Sequence, residues 1–391
     1  MQLYDWQAQA LQGLPKNVIL TWDTGTGKTI AALSHAMPDL PILIVAPPAK
    51  VNSGDWQQLA SELGLDQYIP PISFGKVAKA NPPAEPYILI VDEVHYAKSA
   101  TSQRAKAIIR LATSPNCKQF IGLSATAIPN GYIDLQTYGI IFGWWKHKTE
   151  FLSKYVLIDR SRGYPRIIGY RNEDTLKRLW NSVAFGLDKS HLNLPELINI
   201  TSTITLSKQQ RDTYNMLRNQ RITPDGEILD TPSKLHATLR QYLAKPRQQA
   251  LEAILDDTEE NILIFYNYNV EREAILETLS RYKRKIWEQS GHRSELLKDT
   301  ASKGNVTLLQ YSSGSAGLNL QHSPITVFYS PSYSYQDMHQ AKGRNHRAGQ
   351  DKIVRHYHFR VAKTVDEAVY KCLEAKTDFN ERIISDEDMF D

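Results

Sequence analysis

Short apolar runs, each followed by a loop and then an amphipathic helical pattern, recur in two separate series along this chain. The first series places strands at 18–21, 42–46, 87–91 and 119–123, and the second at 262–266, 285–288, 306–310 and 325–329. Helical patterns at 29–36, 102–111, 270–282 and 335–342 stand between and after them. A strand that is apolar at nearly every position must be covered on both faces, and strands that alternate with helices form a parallel sheet with helices on either side. The alternation occurs before about residue 140 and again after about residue 260, which predicts two α/β lobes rather than one large sheet. The hydrophobic fraction of 41% over 391 residues supplies enough apolar material for two cores.

The stretch between the two series has a different character. It holds Trp144 and Trp145, then a basic glycine-bearing segment at 159–171, then a helical stretch to about Gly186. Leu194-Pro195, a strand-like run at 197–206 and a helix from Lys208 follow, and a hinge is expected near 186–196. The lobes are therefore assigned to residues 1–190, with a helical and basic insertion at about 143–190, and to residues 191–391, with a strand–helix lead-in at 197–245.

Several classes are excluded. No apolar run approaches the roughly 18 residues of a membrane span, and the opening MQLYDWQAQ lacks the basic head and apolar core of a secretion signal. Cys117 and Cys372 are the only cysteines, too few for a disulfide framework or a zinc cluster. These features lead to the expectation of an intracellular, cytoplasmic protein without membrane partners. A net charge of +4 permits nucleic-acid binding without arguing for it.

The strongest local signal is Thr24-Gly25-Thr26-Gly27-Lys28-Thr29, set between an apolar strand and the helix-forming Ile30-Ala31-Ala32-Leu33. Glycines let backbone N–H groups curl around phosphate oxygens, and the helix N-terminus adds partial positive charge. Lys28 can reach the β- and γ-phosphates of a nucleotide, and the Thr29 hydroxyl can ligate Mg²⁺. The full phosphate-loop pattern wants glycine where Trp22 stands, so the match is incomplete. A second signal agrees: the run Ile88-Leu89-Ile90-Val91 ends in Asp92-Glu93-Val94-His95. An aspartate at a strand's C-terminal end can hold a Mg²⁺–water shell, and the next carboxylate can polarise an attacking water. Together they predict a site that takes Mg²⁺ and ATP and hydrolyses it, with Thr29 and Asp92 reaching the metal largely through water.

With what surrounds them, these residues resemble the helicase-like ATPases of superfamily II, and most nearly the Swi/Snf-type branch of double-stranded DNA translocases. Leu3-Tyr4-Asp5-Trp6-Gln7 looks like that branch's adenine-sensing entry, with Gln7 on the base edge. Val45-Ala46-Pro47-Pro48 with Trp56 resembles its second motif, and Asp92-Glu93-Val94-His95 with Lys98 its DExH box. Ser124-Ala125-Thr126 with Pro129-Asn130 is similar to the coupling motif in its superfamily-wide form. Further on, 313–320 looks like the branch's AGLNL motif, and 340–350 (QAKGRNHRAGQ) its arginine-finger motif; Leu239-Arg240-Gln241 and 361–376 also fit. The fold implied is two tandem RecA-like parallel-sheet lobes with an ATP cleft between them.

By this resemblance Arg344 and Arg347 are the arginine fingers and Gln340 a coupling residue. Three residues apart, the two arginines would share one face of a helix. Candidate contacts to DNA phosphates are Lys50, Asn130, Ser312, Ser313 and Gly314. Arg162 and Arg166 belong to a basic, tyrosine-interleaved stretch that suits either nucleic acid or a solvated hairpin. Lys342, His346 and Lys352 equally suit a solvated basic face, and Arg281 to Lys285 a helix end. The implied activity is an ATP-driven motor on double-stranded DNA. A strand-separating DNA or RNA helicase and a nucleotide-gated DNA clamp are the alternatives. The motifs run from residue 3 to about 376, from which a minimal monomeric motor of phage or bacterial type is expected, with any nuclease or targeting function on a partner chain.

Overall fold

The computed structural model describes residues 3–65, 68–161, 165–291, 293–295, 302–311, 318–375 and 379. The chain divides into two compact units, Met1–Leu192 and Asn193–Asp391.

The strands of the first unit are β1 (Val18–Trp22), β2 (Ile42–Ala46), β3 (Tyr68–Ser73), β4 (Tyr87–Asp92), β5 (Cys117–Leu123), β6 (Val156–Asp159), β7 (Arg166–Tyr170) and β8 (Ala184–Leu187). Among the described residues six of them form one sheet in the order β3-β2-β4-β5-β1-β8, every pair parallel. β6 and β7 form a separate antiparallel hairpin from the basic segment.

Period-two packing explains the apolar runs. Val18, Leu20, Ile42, Ile44, Ile88, Ile90 and Ile121 meet the helices Lys28–His35 and Asp55–Glu62 on one face. Ile19, Leu43, Val45, Leu89, Val91 and Phe120 meet the helices Gln103–Ala112 and Leu135–Ile141 on the other. Each such side chain contributes roughly 1.5–3 kcal/mol by burial. Trp144 and Trp145 pack into the second of these layers, and the Trp145 indole N–H donates to the Gln136 carbonyl at 3.1 Å.

The second unit holds β9 (Leu197–Ile204), β10 (Ile262–Tyr266), β11 (Ile286–Gln289), β12 (Ser294–Glu295), β13 (Val306–Gln310), β14 (Ile325–Phe328) and β15 (Val354–Val361). Among the described residues they form one sheet in the order β12-β11-β13-β10-β14-β15-β9, parallel except for the two-residue β12.

β3 and β8 are among the strands that the apolar runs do not reveal. β3 contains Pro70 and Pro71, which argue against a strand. It is tolerated because β3 is the sheet edge, where a missing N–H breaks no ladder on its open side. β8 is only four residues long and was merged into the expected helix and hinge, yet it pairs with β1 from Ile19↔Ala184 to Trp22↔Leu187. Residues 186 and 187 are therefore sheet, not hinge.

Candidate active site

β1, β5 and β4 lie side by side, and Leu123 is in register with both Leu20 and Asp92. Parallel strands end at the same sheet edge, so the loops after β1, β4 and β5 meet there. Trp22, standing where the full pattern has glycine, is buried beneath the loop.

The loop is shaped by its glycines. Gly25 and Gly27 have φ of 86° and 81°, in the left-handed region. A Cβ on Gly27 would come within 2.4 Å of the Gln7 amide nitrogen. The helix Lys28–His35 starts at once, and the Lys28 ammonium lies inside the loop, donating to the carbonyls of Trp22 (2.6 Å) and Asp23 (3.0 Å). The Thr24 hydroxyl is buried with no hydrogen-bond partner among the described residues. A glycine-lined turn, an orphaned hydroxyl, a cation and a helix N-terminus suit a nucleotide's phosphates, and Thr29 and Asp92 suit Mg²⁺ as oxygen donors. Gly27→Ala is expected to weaken nucleotide binding at least about tenfold, because the left-handed φ alone costs an alanine roughly 1–2 kcal/mol. Titration of a fluorescent ATP analogue checks this, and unaltered affinity would contradict the cradle.

Gln7 is 3% exposed and both ends of its amide are engaged. Its nitrogen donates to the Thr26 carbonyl at 2.8 Å, and its oxygen accepts from the Tyr4 N–H at 2.9 Å. The helix Asp5–Leu11 is thereby tied to the phosphate loop. Beside it Trp6 stacks between Tyr4 and His191, each ring pair 5.8 Å apart and tilted by 9°.

The acid pair sits at the end of β4. Glu93 adopts φ 54°, ψ 53°, a left-handed conformation that costs a non-glycine residue about 1–3 kcal/mol and recurs at functional sites. Burial raises the pKa of the Asp92 carboxyl, and Lys50 and Lys28 oppose that rise. Lys50 is also 3.2 Å from Asp55. His95 is buried, with Nδ1 at 2.9 Å from the Ser124 hydroxyl and 3.3 Å from Glu93 Oε2. Burial, with Lys98 and Lys28, pushes the His95 pKa well below the ordinary histidine value, so the ring is neutral and its link to Glu93 is not an ion pair. The Ser124 hydroxyl accepts from the Thr126 N–H at 3.1 Å. His95 and Ser124-Ala125-Thr126 are thus one connected chain, and Glu93 Oε2 lies beside it. The sequence reading had His95 and Ser124 inside its motifs but gave neither a role at the site.

In the second unit Gln340 lies on the helix Tyr335–Lys342 and is 1% exposed. The expectation that Arg344 and Arg347 share a helix face is corrected, because that helix ends at Lys342 and both arginines lie in the turns beyond it. Side chains draw those turns onto neighbouring loops. Asn345 donates to the Ser323 carbonyl at 2.9 Å, and Gln350 to that of Gln321 at 2.8 Å. The two guanidinium groups still converge, each 3.4 Å from the Leu318 carbonyl.

The remaining candidates are dispersed. Asn130 is exposed at the start of the turn Gly131–Asp134, and Arg166 is exposed on β7. Arg162, Ser312, Ser313 and Gly314 lie outside the described residues. His346 contacts the Pro195 carbonyl at 2.9 Å, and Lys352 pairs with Glu260 at 2.7 Å. Arg284 donates to the carbonyls of Glu260, Leu255 and Thr258, which gives this part of the basic stretch a structural role.

Residues 246–349 match the helicase conserved C-terminal domain. The SWI/SNF-related matrix-associated actin-dependent regulator of chromatin subfamily A-like protein 1 of Xenopus tropicalis is 23% identical, over 92% of this chain and 42% of its own length. Along most of its length the chain is thus similar to a SWI/SNF-related protein. Chromatin structure-remodeling complex subunit snf21 of Schizosaccharomyces pombe is 34% identical over 24% of this chain and 8% of its own length. The Sulfolobus solfataricus SWI2/SNF2 ATPase core in complex with dsDNA aligns over 96% of this chain and 91% of its own, at 18% identity and a TM-score of 0.42. The chain spans about two fifths of the length of the Xenopus relatives. The helicase match takes in Gln340, Arg344 and Arg347. Among the described residues no helix is long and apolar enough to cross a membrane.

Proposed function

We propose that the chain is a motor that hydrolyses ATP to move along double-stranded DNA. The observation that carries this reading is the likeness to a SWI/SNF-related regulator of chromatin along 92% of the chain. The site in the first unit supports it. ATP lies in the loop of Thr24 to Thr29, with Lys28 on its terminal phosphates and Gln7 steadying the loop through Thr26. Thr29 and Asp92 hold Mg²⁺ largely through water; when bound, the ion neutralises charge on the phosphates. Glu93 accepts a proton from the attacking water as it adds to the γ-phosphorus. His95, beside Glu93 and hydrogen-bonded to Ser124, passes the state of that site to the Ser-Ala-Thr segment. Arg344 and Arg347 supply positive charge to the transition state, with Gln340 positioning them.

Contacts to DNA phosphates come from Asn130, Arg162, Arg166 and the 312–314 segment. Lys50 is a further contact to the DNA phosphates. The motor acts as a monomer inside the cell, and a partner chain supplies any targeting or nuclease function.

The test is the steady-state ATPase rate with no nucleic acid, blunt duplex DNA, single-stranded DNA and RNA, at two salt concentrations, with Lys28→Ala as the control. Duplex should stimulate most, and the stimulation should fall steeply with salt as counterions compete for phosphate contacts. Triplex displacement then reports movement. Equal rates with and without duplex would end the reading. Stimulation chiefly by single strands or RNA would favour a strand-separating helicase, with which Ser124-Ala125-Thr126 is compatible.

A further inference from the structure

The sheet of the second unit carries a cavity that the proposed motor cycle does not use. It has a volume of about 280 Å³ and lies among β9, β15 and the helices Tyr335–Lys342 and Val365–Glu374. Polar groups on its wall include Asn199, Lys342, His358, Arg360 and Glu374. Glu374 pairs with Arg360 at 3.5 Å. Lys342 is half-buried, and among the described residues its ammonium has neither a hydrogen bond nor an ion pair. Burial lowers its pKa, with Glu374 opposing.

His358 is the second unspent group. It is 7% exposed, and its Nε2 lies 3.3 Å from the Asn199 side-chain oxygen. An amide oxygen only accepts, so Nε2 carries the proton and Nδ1 is left as an acceptor. That Nδ1 is buried without a partner among the described residues. Burial, with Lys342 nearby, pushes the His358 pKa down to about 3, which keeps the ring neutral at physiological pH.

Among the described residues the wall therefore combines a cation with no ion pair, only partly offset by Glu374, and a buried acceptor that lacks a donor. A carboxylate or sulfate satisfies the first and leaves the second orphaned, which costs binding energy. A phosphate group, whose second pKa is near 6, retains a P–O–H in part of its population and satisfies both. The volume exceeds that of a phosphate group alone, and Met338 and Leu373 line the rest. It is close to the lower limit of roughly 300 Å³ for small-molecule sites. We propose that this cavity binds a small phosphate-bearing molecule, with Lys342 on the phosphate oxygens and His358 Nδ1 accepting its P–O–H.

The test needs no turnover and no nucleic acid, so its failure is separable from failure of the motor reading. The full chain carrying Lys28→Ala, which weakens the competing phosphate loop, is labelled with ¹⁵N-histidine and titrated with inorganic phosphate. The expected result is a saturable shift of His358 Nδ1, with sulfate at least about tenfold weaker. Adding Lys342→Met should weaken the phosphate response at least about tenfold. An absent response up to roughly 10 mM phosphate, or one indifferent to Lys342→Met, overturns the proposal. A His358 response to duplex DNA but not to phosphate also overturns it, because the occupant would then be a DNA backbone.

Discussion

Arg347→Ala is expected to lower the duplex-stimulated ATPase rate by roughly 10³-fold or more while leaving nucleotide affinity within a few-fold of the parent. An arginine directed at the transferring phosphoryl group meets charge that exists only in the transition state, and such groups are worth about 10³–10⁵ in rate. Arg347 is half-buried and donates to the Leu318 carbonyl at 3.4 Å. Arg344 is buried, and Arg344→Ala should show the same catalytic loss together with a lower melting temperature. Rates under saturating ATP, with binding measured separately by a fluorescent analogue, distinguish a lost transition-state contact from lost binding. A fall in affinity with an unchanged maximal rate would remove the arginines from the chemistry.

The second large effect concerns stability. Arg247, Glu271 and Asp366 are wholly buried, with Arg247 at 2.6 Å from Asp366 and 3.5 Å from Glu271. Burial works against the Arg247 charge, and the two carboxylates overcome it and hold its pKa above the ordinary arginine value. Glu271 also accepts from the Asn267 N–H at 2.8 Å and the Ser330 hydroxyl at 2.9 Å, and Asp366 from the Val361 N–H at 3.2 Å. Three helix starts and the end of β15 are joined at this one cluster. Arg247→Ala strands two buried carboxylates, and removing one partner of such a network costs about 3–5 kcal/mol. Against a typical total of 5–15 kcal/mol, that should largely abolish protection of the β10 and β15 amides from hydrogen exchange and leave β1 and β4 protected. Replacing all three residues together by apolar ones of similar size should recover much of the loss. A change below about 1 kcal/mol would show the cluster to be unimportant.

Arg247 illustrates what sequence reading misses. Nothing in Lys245-Pro246-Arg247 distinguishes a buried cation from a solvated one, because its partners lie 24 and 119 residues further on. Arg240 was at least inside a recognisable motif. Its burial against Tyr333, whose ring centre is 4.2 Å from the guanidinium carbon, still came only from the fold.

The opposite holds for the apolar strands and the phosphate loop. Their signals are local: a run apolar on both faces has one comfortable place in a protein, and glycines before a Lys-Thr at a helix start have one common use. From these the sequence by itself determined two parallel-sheet units and the place of Lys28, Asp92 and Glu93. Tertiary structure decided what depends on neighbours distant in the chain. It put β3 at an edge where its prolines are harmless, and paired β8 with β1. It also joined His95 to Ser124, and turned Arg344 and Arg347 toward the Leu318 carbonyl from turns rather than from a helix. The physical reason is range. Backbone propensity and hydrophobic period act over a few residues, whereas burial, charge pairing and the orientation of a side chain are settled only when remote segments meet.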